Sequence, residues 1–466
     1  MAYVTINAMA PLAVGERNQQ TEVEFGRDCD AAQTINLDGI AFDNWWCDFN
    51  PAEGVFNFDY ADRIMEILIK RGLSAAPVFS FHKCGANVGD TVTKNLPSWV
   101  WQRVFEKLEQ KYGVGKFTID ALKIVSEQGN ASTEYLSYWV TDLALEFYAD
   151  AMKAFQVHFG DRKQHFGELN ISLGSAGERR FPSYNPGHDK GTDYPTRGAL
   201  QCYSTLAQAD LKAWATVKYG SEAAVEAAWN LKLSDGKLLL PSDVSRFFRR
   251  REHVHSQWGR DLMEWYSNVP SQHATKMLST ALDIFAADDA PFKGIDIGAK
   301  VPGVHWRMGK IVDGQVELSN RLAEITAGLI RPGSDWYDDA DGRGYRDLIK
   351  VFSQLQGRAN RVVMHFTCLE MPDADGKPAA LSLAQSLVRW VGAEAKRQGV
   401  PIKGENALAG NLVNESAWTL MRGALTTGGG DYHGLTLLRL SDCLANPTAK
   451  KELVKTLDWV REKRAQ

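Results

Sequence analysis

Residues 169–184 read LNISLGSAGERRFPSY. Leu169 to Gly174 is a short β-like apolar run, and it opens into glycines, the acid Glu178 and the aromatics Phe181 and Tyr184. Working outward, the same unit recurs: an apolar run, then a polar and glycine-bearing end, then a helical pattern. Tyr3 to Met9, Gly39 to Asp43 and Ala75 to Phe81 precede it. Ile295 to Val301, Arg361 to Thr367, Ile402 to Glu405 and Leu435 to Leu440 follow it, which makes eight. Alternating β and α units imply right-handed crossovers and a parallel sheet, and eight of them predict a closed (β/α)8 TIM barrel.

The spacing of the runs is uneven. Roughly ninety residues separate the third from the fourth and over a hundred separate the fourth from the fifth, far beyond the ~2–6 residues usual for a βα loop. Helical stretches fall inside these intervals, at Tyr138 to His158 and Leu206 to Trp229. They predict long excursions (about 83–167 and 175–294) that form a lobe over the barrel mouth. A charged amphipathic stretch, Lys450 to Arg464, is expected to close the barrel. At 466 residues the chain would make about three average domains. The repeat of one unit and the lack of a Pro/Ser-rich linker instead predict one domain over residues 1–466, with no further C-terminal module.

Composition narrows the function. Lys and Arg number 53 against 57 Asp and Glu, for a net charge of −4. A nucleic-acid or anionic-membrane binder would carry a basic surplus, so neither partner is expected. No run reaches the ~18 apolar residues of a membrane span, and no charged and apolar leader opens the sequence, so no signal peptide is expected. Localisation is left open, and a monomer is expected. Six cysteines (Cys29, Cys47, Cys84, Cys202, Cys368, Cys443) form no CxxC pair, so they read as free buried thiols. No metal and no cofactor are expected.

A barrel places its chemistry just past the C-terminal ends of its strands. There the sequence offers Asp43 with Trp45 and Trp46, His82 to Asp90, Glu178, Lys300 to Trp306, Thr367 to Glu370, Glu405 to Leu408, and Arg439 in the eighth run. Two carboxyls flanking a bond, with aromatic platforms around them, are what glycoside hydrolysis requires. Glu178 ends strand four and Glu405 ends strand seven, three strands apart on the ring. Their side chains should therefore face each other across the mouth, with a gap of roughly 6.5–9.5 Å that admits a water and leads to inversion.

These segments carry a resemblance. FHKCGANVGD (81–90), GSAGERRFPSY (174–184), KVPGVHW (300–306), FTCLEM (366–371) and GENAL (404–408) occur in order, one at each predicted strand end. Looser matches are MAPL (9–12), DNWW (43–46) and LLRLSD (437–442). The sequence resembles the beta-amylase family, exo-acting α-1,4-glucan maltohydrolases, over nearly its whole length. The resemblance implies Glu178 as general acid and Glu405 as general base. It implies Asp43, His82, Asp90, Lys300, His305, Trp306, Thr367, Asn406, Ala407 and Arg439 as holders of the glucose units of an α-1,4-glucan. It also implies that Gly85 to Val92 is a mobile loop over the substrate, with Gly85 and Gly89 suited to hinge motion.

The chain departs from the family pattern in places. The acid segment usually reads GEL-R-Y, and here it is Gly177-Glu178-Arg179-Arg180-Phe181. Lys83 and Ala86 stand where the loop usually has Gln and Gly. Val140 and Leu143 occupy the stretch where bacterial members carry calcium-binding acids, so that ion is not expected. Arg179 and Arg180 could hold the pKa of Glu178 down, although neighbours on an extended segment point apart, which turns Arg179 away.

Plainer readings stand beside these. Glu178 could be a structural acid paired with Arg180, and Glu405 a satisfied acid below the rim. Glu370 reads as a supporting hydrogen-bond acceptor rather than a substrate contact. His82 and Cys84 have H-x-C spacing but lack further ligands. The run from Arg246 to Arg251, with His253 and His255, reads as a solvated helix face. Two other functions remain open on the sequence: a glucan-binding or sensing protein without turnover, and a retaining barrel glycosidase of another substrate class.

Overall fold

A computed structural model describes residues 4–87, 89–185, 187–233, 239–306, 309–312, 315–318, 321–332, 344–374 and 382–465. All eight predicted runs become strands. They are Thr5–Met9 (β1), Gly39–Trp45 (β2), Ser74–Ser80 (β3), Glu168–Ile171 (β4), Asp296–Val301 (β5), Val362–Phe366 (β6), Ile402–Glu405 (β7) and Gly434–Leu437 (β8). Each strand pairs in parallel with the next, and β8 closes on β1 with Thr5 opposite Gly434. The two long excursions run from β3 to β4 and from β4 to β5 as expected.

The strand ends correct the sequence reading in three places. β2 continues to Trp45, paired with Ser80 of β3, so Asp43 lies inside the strand rather than after it. β4 stops at Ile171, so Ser172 to Gly174 already belong to the loop that leads to Glu178. β8 stops at Leu437, and Arg439 lies beyond it, just before the short helix Leu440–Ala445. The stretch Leu206 to Trp229 also divides into helices Thr205–Tyr219 and Glu222–Trp229. Gly220, in the left-handed region at φ 85°, ends the first, and the Ser221 side chain caps the second.

Strand residues alternate between two surroundings, because successive side chains point to opposite faces. The outward set includes Ile6, Phe42, Phe79, Leu169, Ile297, Met364 and Leu435, and it joins one large apolar core under the helices. Phenylalanines 58, 79, 155, 159, 166, 285 and 292 interlock there with ring centroids 4.5–6.0 Å apart. Such pairs add about 0.5–1.5 kcal/mol each beyond burial, and here they tie helices Thr141–Phe159 and Gln257–Phe285 to β3. The inward set is different. Met9, Ala41 and Ala76 form a small separate cluster. Beside them Glu168, Lys300, His365, Lys403 and Glu405 bond to one another within the barrel. Gly298 of β5 makes room for them, since a Cβ there would lie 2.3 Å from Asn170 Oδ1 and 2.5 Å from Glu168 Oε1.

Candidate active site

A cleft of about 560 Å³ opens at the C-terminal end of the strands, within the usual range for a small-molecule site. All twelve residues predicted for the site line it: Asp43, His82, Asp90, Glu178, Lys300, His305, Trp306, Thr367, Glu405, Asn406, Ala407 and Arg439. They come from seven different strand ends, and the closed strand order is what brings them together.

Glu178 follows a tight turn in which Gly177 has φ 76°. A Cβ at Gly177 would sit 3.0 Å from the His82 ring, so glycine lets the acid loop pack directly on that imidazole. Backbone pairing with Lys300 of β5 then fixes the segment, and Arg179 N–H donates to Lys300 O at 2.8 Å. The adjacent arginines part as an extended segment requires. Arg179 turns away and is buried, where it donates to Gly328 O at 2.5 Å and to Ser267 O at 3.3 Å. Arg180 turns toward the cleft and its Nε donates to Glu178 Oε2 at 2.9 Å. Burial raises the Glu178 pKa, Arg180 opposes that, the Glu405 charge adds to it, and the result lies above the ordinary carboxyl value.

Glu405 ends β7 and faces Lys300 and His365. Lys300 Nζ lies 3.0 Å from Oε1 and 3.1 Å from Oε2. His365 Nδ1 lies 3.4 Å from Oε1. Burial pushes the Glu405 pKa up, but Lys300 and His365 outweigh it and hold the carboxyl below its ordinary value. The two acids across the cleft are thus shifted in opposite directions. That is the condition under which one carboxyl holds a proton while the other stays ionised.

The remaining residues are each held by a specific partner. Asp43 Oδ1 accepts from Ser80 Oγ at 2.9 Å. His82 Nδ1 contacts Ser172 Oγ at 3.0 Å, its ring lies edge-on to Trp45, and burial holds its pKa down. Asp90 Oδ2 accepts the backbone N–H groups of Gly85, Ala86 and Asn87 at 2.7–3.0 Å, so it folds its own loop. Val88, within the expected mobile loop, lies outside the described residues. His305 is buried, which lowers its pKa to about 4, and it leans on Trp306. Tyr184 and Tyr194 meet Trp306 edge-on at 4.9 and 5.2 Å, and Tyr194 is exposed at the mouth. Thr367 Oγ1 accepts from Gly303 N–H, locking the loops after β5 and β6 together.

Asn406 carries both of its amide bonds to the Leu438 backbone, donating at 3.1 Å and accepting at 2.8 Å. This sets the turn from which Arg439 reaches Ala10 O at 3.0 Å. Glu370 is the support the sequence suggested. It is buried and accepts from Ala407 N–H, Leu408 N–H and Asn411 Nδ2 at 3.0–3.2 Å. Glu370→Ala leaves the Ala407 and Leu408 N–H groups without this acceptor. It is expected to cost about 1–3 kcal/mol in urea unfolding.

Three site residues escaped the sequence reading. Glu134 is buried in the first excursion, where it accepts from Ala176 N–H at 2.7 Å and Asn87 Nδ2 at 2.8 Å and also binds Asn185. No periodicity marks a lone acid in a loop. Glu168 and His365 lie inside strands, and a charged residue in an apolar strand was the available signal. The basic run behaves as predicted at Arg246, Arg249, Arg250, Arg251 and His255, which are exposed. His253 differs: it is fully buried against Phe247 and Phe248, because the short helix Glu252–His255 turns it inward. All six cysteines are free thiols. No described helix is long and apolar enough to cross a membrane.

Known proteins resemble this chain in sequence and fold. A thermophilic beta-amylase of Thermoanaerobacterium thermosulfurigenes is 33% identical over 407 residues, covering 87% of this chain and 65% of that protein. A beta-amylase of Bacillus cereus is 31% identical over 424 residues, covering 91% of this chain and 68% of that protein. The chain thus spans about two thirds of the length of these bacterial relatives. The crystal structure of the catalytic domain of beta-amylase from Paenibacillus polymyxa superposes with a TM-score of 0.78 at 27% identity, covering 98% of both chains. The sequence pattern of Glycosyl hydrolase family 14 matches residues 13–465, from the loop after β1 to the final helix. The chain therefore belongs to Glycosyl hydrolase family 14.

Proposed function

We propose that this chain is an exo-acting glycoside hydrolase that cleaves α-1,4-glucosidic bonds of starch-like glucans from their non-reducing ends and releases β-maltose with inversion. The observation that carries the reading is the opposed pair: Glu178 shifted up and Glu405 shifted down on two sides of one cleft. Glu178 gives its proton to the glycosidic oxygen as the C1–O bond breaks. Glu405 takes a proton from a water that attacks C1 from the opposite face, and the anomeric configuration inverts. The beta-amylase names of the relatives support the substrate class. Buried Asp43 at the inner wall and exposed Tyr194 at the mouth suit a chain end that enters and stops. Glucose rings stack on aromatic faces such as Trp306 and Tyr184, while their hydroxyls take hydrogen bonds from the polar lining. The same reading treats residues 1–466 as one catalytic domain, whose two excursions cover the barrel mouth.

Proton NMR of maltopentaose digestion tests this reading. The β-anomer of maltose is expected to accumulate first and then mutarotate. Measurable maltose binding with no product would instead mark a glucan-binding protein without turnover. Initial α-maltose, or inertness to α-glucans with cleavage of β-galactosides, would mark a retaining glycosidase of another class.

A further inference from the structure

Below Glu405 the barrel interior holds a buried ladder of charges that the hydrolytic steps do not use. Lys403 Nζ lies 2.6 Å from Glu168 Oε2, and His365 Nε2 lies 2.6 Å from Glu168 Oε1. The opposite ring nitrogen of His365 faces Glu405 Oε1 at 3.4 Å. His365 and Glu168 are each about 3% exposed, and neither lines the cleft. Three strands contribute, β4, β6 and β7, and Gly298 of β5 leaves the space that the Glu168 side chain fills.

Burying this many charges is costly unless each is paired, and breaking a buried pair costs more than never building it. We infer that His365, held from beneath by Glu168 and Lys403, is a positioning residue for Glu405: it is a fixed imidazolium that aims the base's carboxylate and keeps it in the ionised form that water activation requires. The inference rests on the assignment of Glu405 as general base. A neutral imidazole donating from Nε2 to Glu168 would turn the Nδ1 lone pair toward the Glu405 carboxylate, which is repulsive. An imidazolium bonds to Glu168 and attracts Glu405 by charge at 3.4 Å. Burial pushes the His365 pKa down, but Glu168 and Glu405 outweigh it and raise the pKa above the ordinary histidine value.

The charged groups facing this site from each neighbouring strand are few. β4 presents Glu168, β5 presents Lys300 on Glu405, and β7 presents Lys403 and Glu405. The Arg361–Asp296 pair closes the lower end, 2.7 Å apart. Glu178 faces Glu405 across the cleft and acts on it by charge alone. Lys300 remains on Glu405 in a His365 variant, so the loss of the imidazolium is read as a partial shift rather than a collapse.

The test is the pH profile of kcat/KM for maltopentaose in wild type and His365→Gln, with a histidine ¹⁵N NMR titration of the wild-type protein. Removing a cation near Glu405 raises its pKa, so the acid limb of the variant is expected to move up by about one pH unit. At pH values well below both acid limbs kcat/KM should fall about tenfold, with KM within about twofold of wild type. An acid limb within about 0.2 unit of wild type, in a variant that still releases β-maltose, overturns the positioning role while leaving the proposed function intact. Absence of hydrolysis by the wild-type protein overturns the proposed function instead. The NMR readout is independent of activity and of variant folding. His365 should titrate above the ordinary histidine value in wild type and lower than that in Glu168→Gln, whereas a neutral ring at pH 7 in wild type overturns the inference.

Discussion

Glu178→Gln is expected to lower kcat on maltopentaose by about 10³–10⁴, near the upper end of what a single general acid contributes. The glycosidic oxygen leaves as a sugar alkoxide unless it is protonated, so nearly all of the acid's contribution is lost with the proton. The substitution is nearly isosteric. Its amide oxygen can still accept from Arg180 Nε, which now meets Oε2 at 2.9 Å, and the turn through Gly177 is unchanged. Maltose binding measured by calorimetry should therefore stay within about threefold of wild type. A leaving group that needs no proton separates acid catalysis from misfolding, and α-maltosyl fluoride should be turned over by the variant at a rate close to wild type. Activity on maltopentaose within tenfold of wild type would remove Glu178 from the role of acid.

Glu405→Gln is the second large effect. The expected fall in kcat is again about 10³, but its chemistry differs because the lost group activates the nucleophile. Azide is already an anion and needs no base. It should enter on the water side, attack C1, and give β-maltosyl azide while Glu178 still protonates the leaving oxygen. Failure of azide to restore any turnover, in a variant that binds maltose, would refute the base assignment. The substitution also leaves Lys300 and His365 without the carboxylate that both now face, so His365 keeps Glu168 as its only anion. The pH profiles of the two variants should differ accordingly. On the proposed mechanism, activity of the wild type needs Glu405 ionised, and its pKa is depressed, so the acid limb is expected to lie low. It also needs Glu178 protonated, and its pKa is raised, so the alkaline limb lies high. Glu405→Gln with azide should keep the alkaline limb, while its acid limb should follow protonation of the azide instead of Glu405.

Most of the fold was legible because barrel strands bury their outward residues under helices. That gives runs such as Ile40 to Phe42 or Val362 to Phe366 which stand out from their surroundings. Strand ends were less legible. Asp43 lies within β2 because pairing with β3 outlasts the apolar run. Arg439 lies past β8 because backbone pairing ends at Leu437, and its guanidinium reaches the Ala10 carbonyl. The cleft residues were legible from motifs at those ends, and all twelve converge. Glu134 was not, because its partners Asn87, Ala176 and Asn185 are about 40–50 residues away in a segment without periodicity.

The sequence by itself determined the barrel and the neighbourhood of the site. Eight repeats of an apolar run followed by a helical pattern leave few topologies, and a parallel barrel presents its chemistry at one end. Only the tertiary structure decided which charges meet. Glu168, His365, Lys403 and Glu405 span 238 positions of sequence and fall on three strands, yet closure of the sheet places them in one buried column. Coulomb interactions depend on distance and burial rather than on order along the chain. The sequence could therefore name two glutamates, while burial around Glu178 and the neighbours Lys300 and His365 around Glu405 decided that one carboxyl shifts up and the other down.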